Sequence, residues 1–204
     1  MGMTYPNIMV EMKILICGFE AYGERGINNA WEVTKQFQEV PNIDILKLPV
    51  SFEKSHNVII DALTRKQYDL ILILGETGLT ADYVRLERLA INYKDAVKPD
   101  NDGMIADDEE IMIDAPKAYF TSFPIKKIFL NLKEKGHRIK ITNSAGTFVC
   151  NSTYYHVLHY ISEHKLAQVA LFVHLPVSTE IISLDEMEQT IKELIEIYKR
   201  EYSK

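Results

Sequence analysis

Three short, almost wholly apolar runs constrain this chain more than any other feature: KILIC at 13–17, DLILIL at 69–74 and VALFVHL at 169–175. The first two are stopped by Gly18 and Gly75, and the third runs into Pro176. At this length each reads as a buried strand rather than a helix. A strand with no polar side needs cover on both faces, which is the situation of a parallel sheet packed between helices.

The segments between these runs supply that cover. Asn29 to Phe37 places Ala30, Val33 and Phe37 on one helical stripe, and Phe52 to Leu63 also reads as helical. Ile125 to Lys135 carries Ile128, Phe129 and Leu132 on one face, with Gly136 just beyond its end. Asn151 to His164 follows the same period. The last helix begins at a capping box, Ser183 with Glu186, and continues through Leu184, Met187, Ile191, Leu194, Ile195 and Tyr198. Shorter strands are expected at DILKL (44–48) and RIKIT (138–142). Strands alternating with helices predict an α/β fold with a largely parallel, twisted sheet. At 204 residues the chain suits a single domain, 1–204. Residues 76–119, with VKPDNDG and the acidic run DDEE at 107–110, interrupt the alternation. They read as a polar excursion, either an antiparallel arm or an active-site loop, with DDEE as solvated loop ahead of a remote metal role.

Charge narrows the function classes. A formal net charge of -6 argues against a general nucleic-acid binder. No apolar run approaches the roughly 20 residues that span a bilayer, and MGMTYPNIMVEMK has neither the basic start nor the apolar stretch of a signal peptide. The expected location is cytoplasmic, where Cys17 and Cys150 would be free thiols.

Three groups could carry chemistry. Cys150 lies between the small-residue loop NSAGTFV and a segment whose core stripe is Tyr154, Val157, Leu158 and Ile161. That places it at the first turn of a helix, where unpaired N–H groups and the dipole favour negative charge on sulfur. Cysteine is also among the most buried residue types, so a plain core role stays open. His174 falls at the end of a buried strand, the edge where α/β sheets build their sites, and could act as a base. Glu87, in YVRLERLAIN, could orient that imidazole as the third member of a triad, although an ion pair with Arg85 or Arg88 is the commoner fate of such a carboxylate. His156 and His159 share a helix face, but their spacing matches no standard zinc pattern. Cys17 reads as core. GFEAYG lacks the spacing of a phosphate loop.

Taken together, four segments resemble the pyroglutamyl peptidase type I (pyrrolidone-carboxylate peptidase) family: KILICGFEAYGERGINNAWEV, LERLAINYKDAVKPDNDG, NSAGTFVCNSTYYHVLHY and LFVHLPVS. The resemblance implies an α/β/α sandwich and a thiol peptidase that removes N-terminal pyroglutamate from peptides. It implies Cys150 as nucleophile, His174 as base and Glu87 as acidic partner. Phe19, Tyr22, Phe148 and Val149 would line the slot for the lactam ring, with Lys98 facing it. No metal or organic cofactor is implied, and no nucleic-acid or membrane partner. Bacterial members are often homo-oligomers.

The chain also departs from the family pattern. Tyr22 stands where phenylalanine is usual, Asn28, Asn29 and Ala30 where NPS is usual, and GETGLT at 75–80 where GQAGGR is frequent. Lys98 replaces an apolar residue. Two alternatives therefore stay open: a related cysteine amidase with another acyl preference, and a non-catalytic binding module that keeps the fold.

Overall fold

The computed structural model describes residues 11–78 and 81–202. Residues 1–10 of the opening segment read for targeting signals, and the last two residues of GETGLT, fall outside the described residues.

Among the described residues, eight strands and five helices follow in the order β1 (Ile14–Phe19), α1 (Asn29–Lys35), β2 (Ile43–Leu48), α2 (Ser55–Arg65), β3 (Leu70–Thr77), β4 (Val84–Glu87), β5 (Leu89–Ile91), β6 (Ala118–Phe120), α3 (Ile125–Glu134), β7 (Ile139–Thr142), α4 (Val149–Glu163), β8 (Val169–Pro176) and α5 (Leu184–Tyr202). The main sheet has the order β2-β1-β3-β8-β4-β7. Its first four strands are parallel, whereas β4 pairs with β8 antiparallel and with β7 parallel. The sheet is thus mixed, with four strands running one way and two reversed at one edge. β3 continues past Gly75 to Thr77, beyond the stop expected from the sequence.

Strand alternation divides the core in two. Ile14, Ile16, Leu70, Leu72, Leu171 and Val173 pack with side chains of α1, α3 and α5 on one face. Leu15, Cys17, Ile71, Ile73, Ala170 and Phe172 pack with those of α2 and α4 on the other. This is an α/β/α sandwich, and it explains why β1 and β3 read as unbroken apolar runs. Cys17 is a core residue, as expected, and burial pushes its thiol well up. The capping box closes in both directions: Glu186 N–H donates to Ser183 Oγ at 3.2 Å, and Ser183 N–H to Glu186 Oε2 at 2.8 Å. None of the described helices is long and apolar enough to cross a membrane.

The excursion differs from its sequence reading in one respect. It contains β4, a strand of the main sheet, as well as the antiparallel β5–β6 pair. β4 reads VRLE, too short and too charged to declare itself, and its cover comes from distant partners. The DDEE run is exposed, as expected.

Candidate active site

Cys150 is the second residue of α4, at the mouth of that helix. The helix starts two residues earlier than its apolar stripe suggests. Its cap residue, Phe148, makes no side-chain capping bond, so the first-turn N–H groups around the sulfur keep no side-chain acceptor. β3 runs past the same point. A Cβ on Gly75 would lie 3.1 Å from Cys150 Sγ and 2.8 Å from the Phe172 ring, so the thiol occupies space that only glycine leaves open.

His174 lies opposite Gly75 in the β3–β8 register. Its Nδ1–H donates to Glu87 Oε1 at 2.8 Å, and its ring packs on Phe172 with centroids 4.7 Å apart. With Nδ1 engaged, Nε2 is the nitrogen left for the thiol. Burial alone would pull this imidazole down, but the neighbouring Cys150 and Glu87 outweigh it and hold it up at about 9.

Glu87 is 1% exposed. The ion pair to Arg85 or Arg88 that local sequence favours is not its environment. Oε1 accepts from His174 and Oε2 accepts from Thr142 Oγ1 at 2.5 Å. Tyr154, on α4, donates to the Glu87 carbonyl at 3.3 Å. The strand pairing is responsible: Glu87 lies opposite Phe172 on β8, which sets its side chain on the same face as His174, one diagonal step away.

The thiol opens onto a cavity of about 420 Å³. All five residues expected around a ring slot line it: Phe19, Tyr22, Phe148, Val149 and Lys98. Phe148 is held between Tyr22 (5.3 Å between centroids) and Phe52 (5.2 Å, edge-on). The Tyr22 hydroxyl donates to the Pro99 carbonyl at 2.9 Å, tying the 96–102 loop to the slot. Asn101 reinforces the strap, with Nδ2 donating to the Ala21 carbonyl at 2.9 Å. Lys98 is exposed and sits at the rim. A second cleft, of about 510 Å³ between β6 and the end of α4, holds no member of the triad.

Sequence reading missed several supports. Asn151, fully buried beside Cys150, accepts from Ile91 N–H at 3.0 Å and donates to the Ile91 and Tyr93 carbonyls at 2.9 Å each. A buried amide directly after a candidate nucleophile was the available signal. Thr142 and Gly75 gave none beyond their place at strand ends. His156 and His159 take other roles. His156 stacks on His56 at 3.7 Å and hydrogen-bonds the Ser152 carbonyl, while His159 bonds the Tyr119 hydroxyl.

The family model for pyroglutamyl peptidase matches residues 12–193. The chain belongs to the pyroglutamyl peptidase family. It is therefore a cysteine peptidase by descent. Its relatives include pyrrolidone-carboxylate peptidases of Thermococcus onnurineus, 37% identical over 81% of this chain and 84% of that protein, and of Staphylococcus aureus, 38% identical over 81% and 79%. Among solved structures, the pyrrolidone carboxyl peptidase of Fervidobacterium islandicum superposes with a TM-score of 0.85 at 31% identity, covering 93% of this chain and 99% of that one. The pyroglutamyl peptidase I of Bacillus amyloliquefaciens does so with 0.85 at 32%, covering 91% and 93%. Within this family frame, Tyr22, Glu76 and Lys98, three of the departures noted in the sequence, all line the slot.

Proposed function

We propose that this protein is a cysteine exopeptidase that hydrolyses the amide bond after an N-terminal pyroglutamyl residue, with Cys150, His174 and Glu87 as its catalytic groups. The observation that carries the reading is the buried Glu87–His174 hydrogen bond beside Cys150, which sits at a helix mouth over an aromatic-walled slot. A binding module has no use for a buried carboxylate that orients an imidazole toward a thiol.

The chemistry follows from the placement. Cys150 sulfur, having passed its proton to His174, attacks the pyroglutamyl carbonyl carbon. A C–S bond forms and the carbonyl electrons move to oxygen, which the first-turn N–H groups of α4 stabilise. As the tetrahedral species collapses, the C–N bond breaks and His174 gives its proton to the departing amine. His174 then takes a proton from water, whose oxygen attacks the thioester. The C–S bond breaks, and free pyroglutamate and thiol result. Glu87 holds Nδ1–H throughout and so keeps Nε2 directed at the sulfur.

The lactam is compact and uncharged, which suits walls made by Phe19, Tyr22, Phe148 and Val149. The steps balance without a metal or organic cofactor. One catalytic domain carries them. The acidic balance and the two unpaired thiols support work in the reducing cytoplasm. A homo-oligomer belongs to the same proposal, supported by exposed Ile113 on the excursion and exposed Phe120 at the end of β6.

A panel of N-terminally blocked fluorogenic amides tests the reading. The pyroglutamyl member should be cleaved by the wild type and not by Cys150→Ser. Turnover of other acyl groups with the pyroglutamyl member untouched would overturn the specificity, and full activity in Cys150→Ser would overturn the nucleophile.

A further inference from the structure

Three stretches of chain that end at the slot are tied together by a polar group that the catalytic steps do not use. Glu76, directly after Gly75 on β3, turns its carboxylate toward the loop between β1 and α1. Oε1 accepts from Asn29 N–H at 2.6 Å, and Oε2 is ion-paired with Arg25. Asn29 then reaches the third stretch, with Nδ2 donating to the Pro176 carbonyl at 2.8 Å and the Val177 carbonyl at 3.0 Å, immediately beyond His174. Asn29 is 1% exposed, and the Glu76 side chain 10%.

We infer that Arg25, Glu76 and Asn29 act together as positioning residues that set the width of the acyl slot, by fixing the β8 exit at Val177 against the end of β3. Arg25, Glu76 and Val177 all line the cavity, so the group forms part of its wall rather than a distant brace. A carboxylate this buried persists only where its oxygens are satisfied. Burial pushes the Glu76 carboxyl up, and the Asn29 N–H and the Arg25 guanidinium pull it back. The arrangement is circular in its requirements. Asn29 needs Glu76 to satisfy its main-chain N–H at the start of α1, Glu76 needs Arg25 as the counter-charge to its half-buried carboxylate, and the Pro176 and Val177 carbonyls need Asn29. The sheet ladder holds β8 through Pro176 opposite Thr77, so release of any one frees the chain from Val177 onward to move outward. The triad lies on the other side of Gly75 and keeps its own bonds to Thr142 and Tyr154, so the effect falls on acyl-group binding rather than on the thiol.

This inference rests on the slot being the acyl site, and the test separates the two claims. Arg25→Ala should raise KM for a pyroglutamyl amide about tenfold while kcat changes less than threefold, because it leaves the Glu76 carboxylate without its counter-charge. Arg25→Lys should recover most of the loss. Glu76→Gln added to Arg25→Ala should also recover it, since the amide oxygen still accepts from Asn29 without a buried charge. A second readout needs no peptide substrate. Cys150 is alkylated with iodoacetamide, which is small, and with N-phenylmaleimide, which must enter the slot. In Arg25→Ala the ratio of the N-phenylmaleimide rate to the iodoacetamide rate should rise at least fivefold, with the iodoacetamide rate itself unchanged. An unchanged ratio, or a double variant no better than Arg25→Ala, would overturn the inference. Failure of the wild type on pyroglutamyl amides alongside the expected ratio would instead count against the substrate assignment and leave the wall-setting role supported.

Discussion

His174 and Glu87 meet across the one antiparallel seam of the main sheet, with Nδ1–H donating to Oε1 at 2.8 Å. Replacing Glu87 by Gln keeps the shape but removes the charge that supports an imidazolium. Steady-state assays should show kcat down by about 10²-fold or more, the scale of a general acid–base contribution. Glu87→Ala should also cost about 1–3 kcal/mol of stability in chemical denaturation, because Thr142 Oγ1 and His174 Nδ1 lose their buried partner. Wild-type kcat in Glu87→Gln would remove Glu87 from the mechanism.

The pH dependence follows from the proton on His174. Because that proton is held to about 9, the rate should stay high through neutral pH and fall on the alkaline side through about 9, where the acid for the leaving amine disappears. Stability shares the sign. The folded state binds this proton more tightly than the unfolded state, whose imidazole titrates near 6.5. The contribution is fully present below about 6.5 and is lost as pH rises through about 9. Melting temperatures measured from pH 6 to 10 should decline across that window, and the decline should shrink in His174→Gln.

Gly75→Ala tests how little room surrounds the sulfur. The new methyl would meet the Phe172 ring at 2.8 Å and Cys150 Sγ at 3.1 Å. Overpacking of this kind costs about 1–3 kcal/mol. The thiol must also give way, so kcat should fall together with the denaturation midpoint. A variant as stable and active as the parent would mean that the contact relaxes freely.

Asn151→Ala removes three hydrogen bonds of a fully buried side chain and leaves Ile91 and Tyr93 main-chain groups without that partner. A loss of about 3 kcal/mol is expected in urea unfolding. Asn151→Asp should recover only part of it, since a carboxylate accepts from Ile91 N–H but cannot donate to the carbonyls.

Tyr22→Phe removes the hydroxyl that ties the slot wall to Pro99 while keeping the ring on Phe148. The net value of such a bond is about 0.5–1.5 kcal/mol. KM for the pyroglutamyl amide should rise by up to about tenfold, with the alkylation rate of Cys150 by iodoacetamide unaltered.

How far the chain could be read in advance depended on the range of the forces involved. β1, β3 and β8 announced themselves because burial on both faces leaves only apolar side chains, and α5 because one long stripe and a capping box are local signals. β4 stayed hidden inside the excursion because its four residues acquire meaning only beside β7 and β8. The same distance misled the local reading of Glu87: Arg85 and Arg88 are its neighbours in sequence, yet the sheet brings His174 and Thr142 to its oxygens. Cys150 was placed at a helix mouth from the stripe that follows it, although the helix itself begins at Val149. The Arg25–Glu76–Asn29 group could not be foreseen, since it joins residues separated by 47 and 51 positions and ties them to Pro176, 147 positions beyond Asn29.

The antiparallel seam also determines where this chain can tolerate added or deleted residues. Glu87 faces the thiol only because it lies opposite Phe172; advanced by one position, it would take the orientation of Leu86, among the side chains of α3 and α5. A single-residue insertion within 84–87 should therefore abolish turnover while the sandwich still assembles. The exposed turn at Ile113 and Asp114, which belongs to no described strand or bridge, should accept the same insertion with little effect. Two regions of one excursion thus face opposite selective pressures on length, and the boundary between them lies where β4 leaves the sheet.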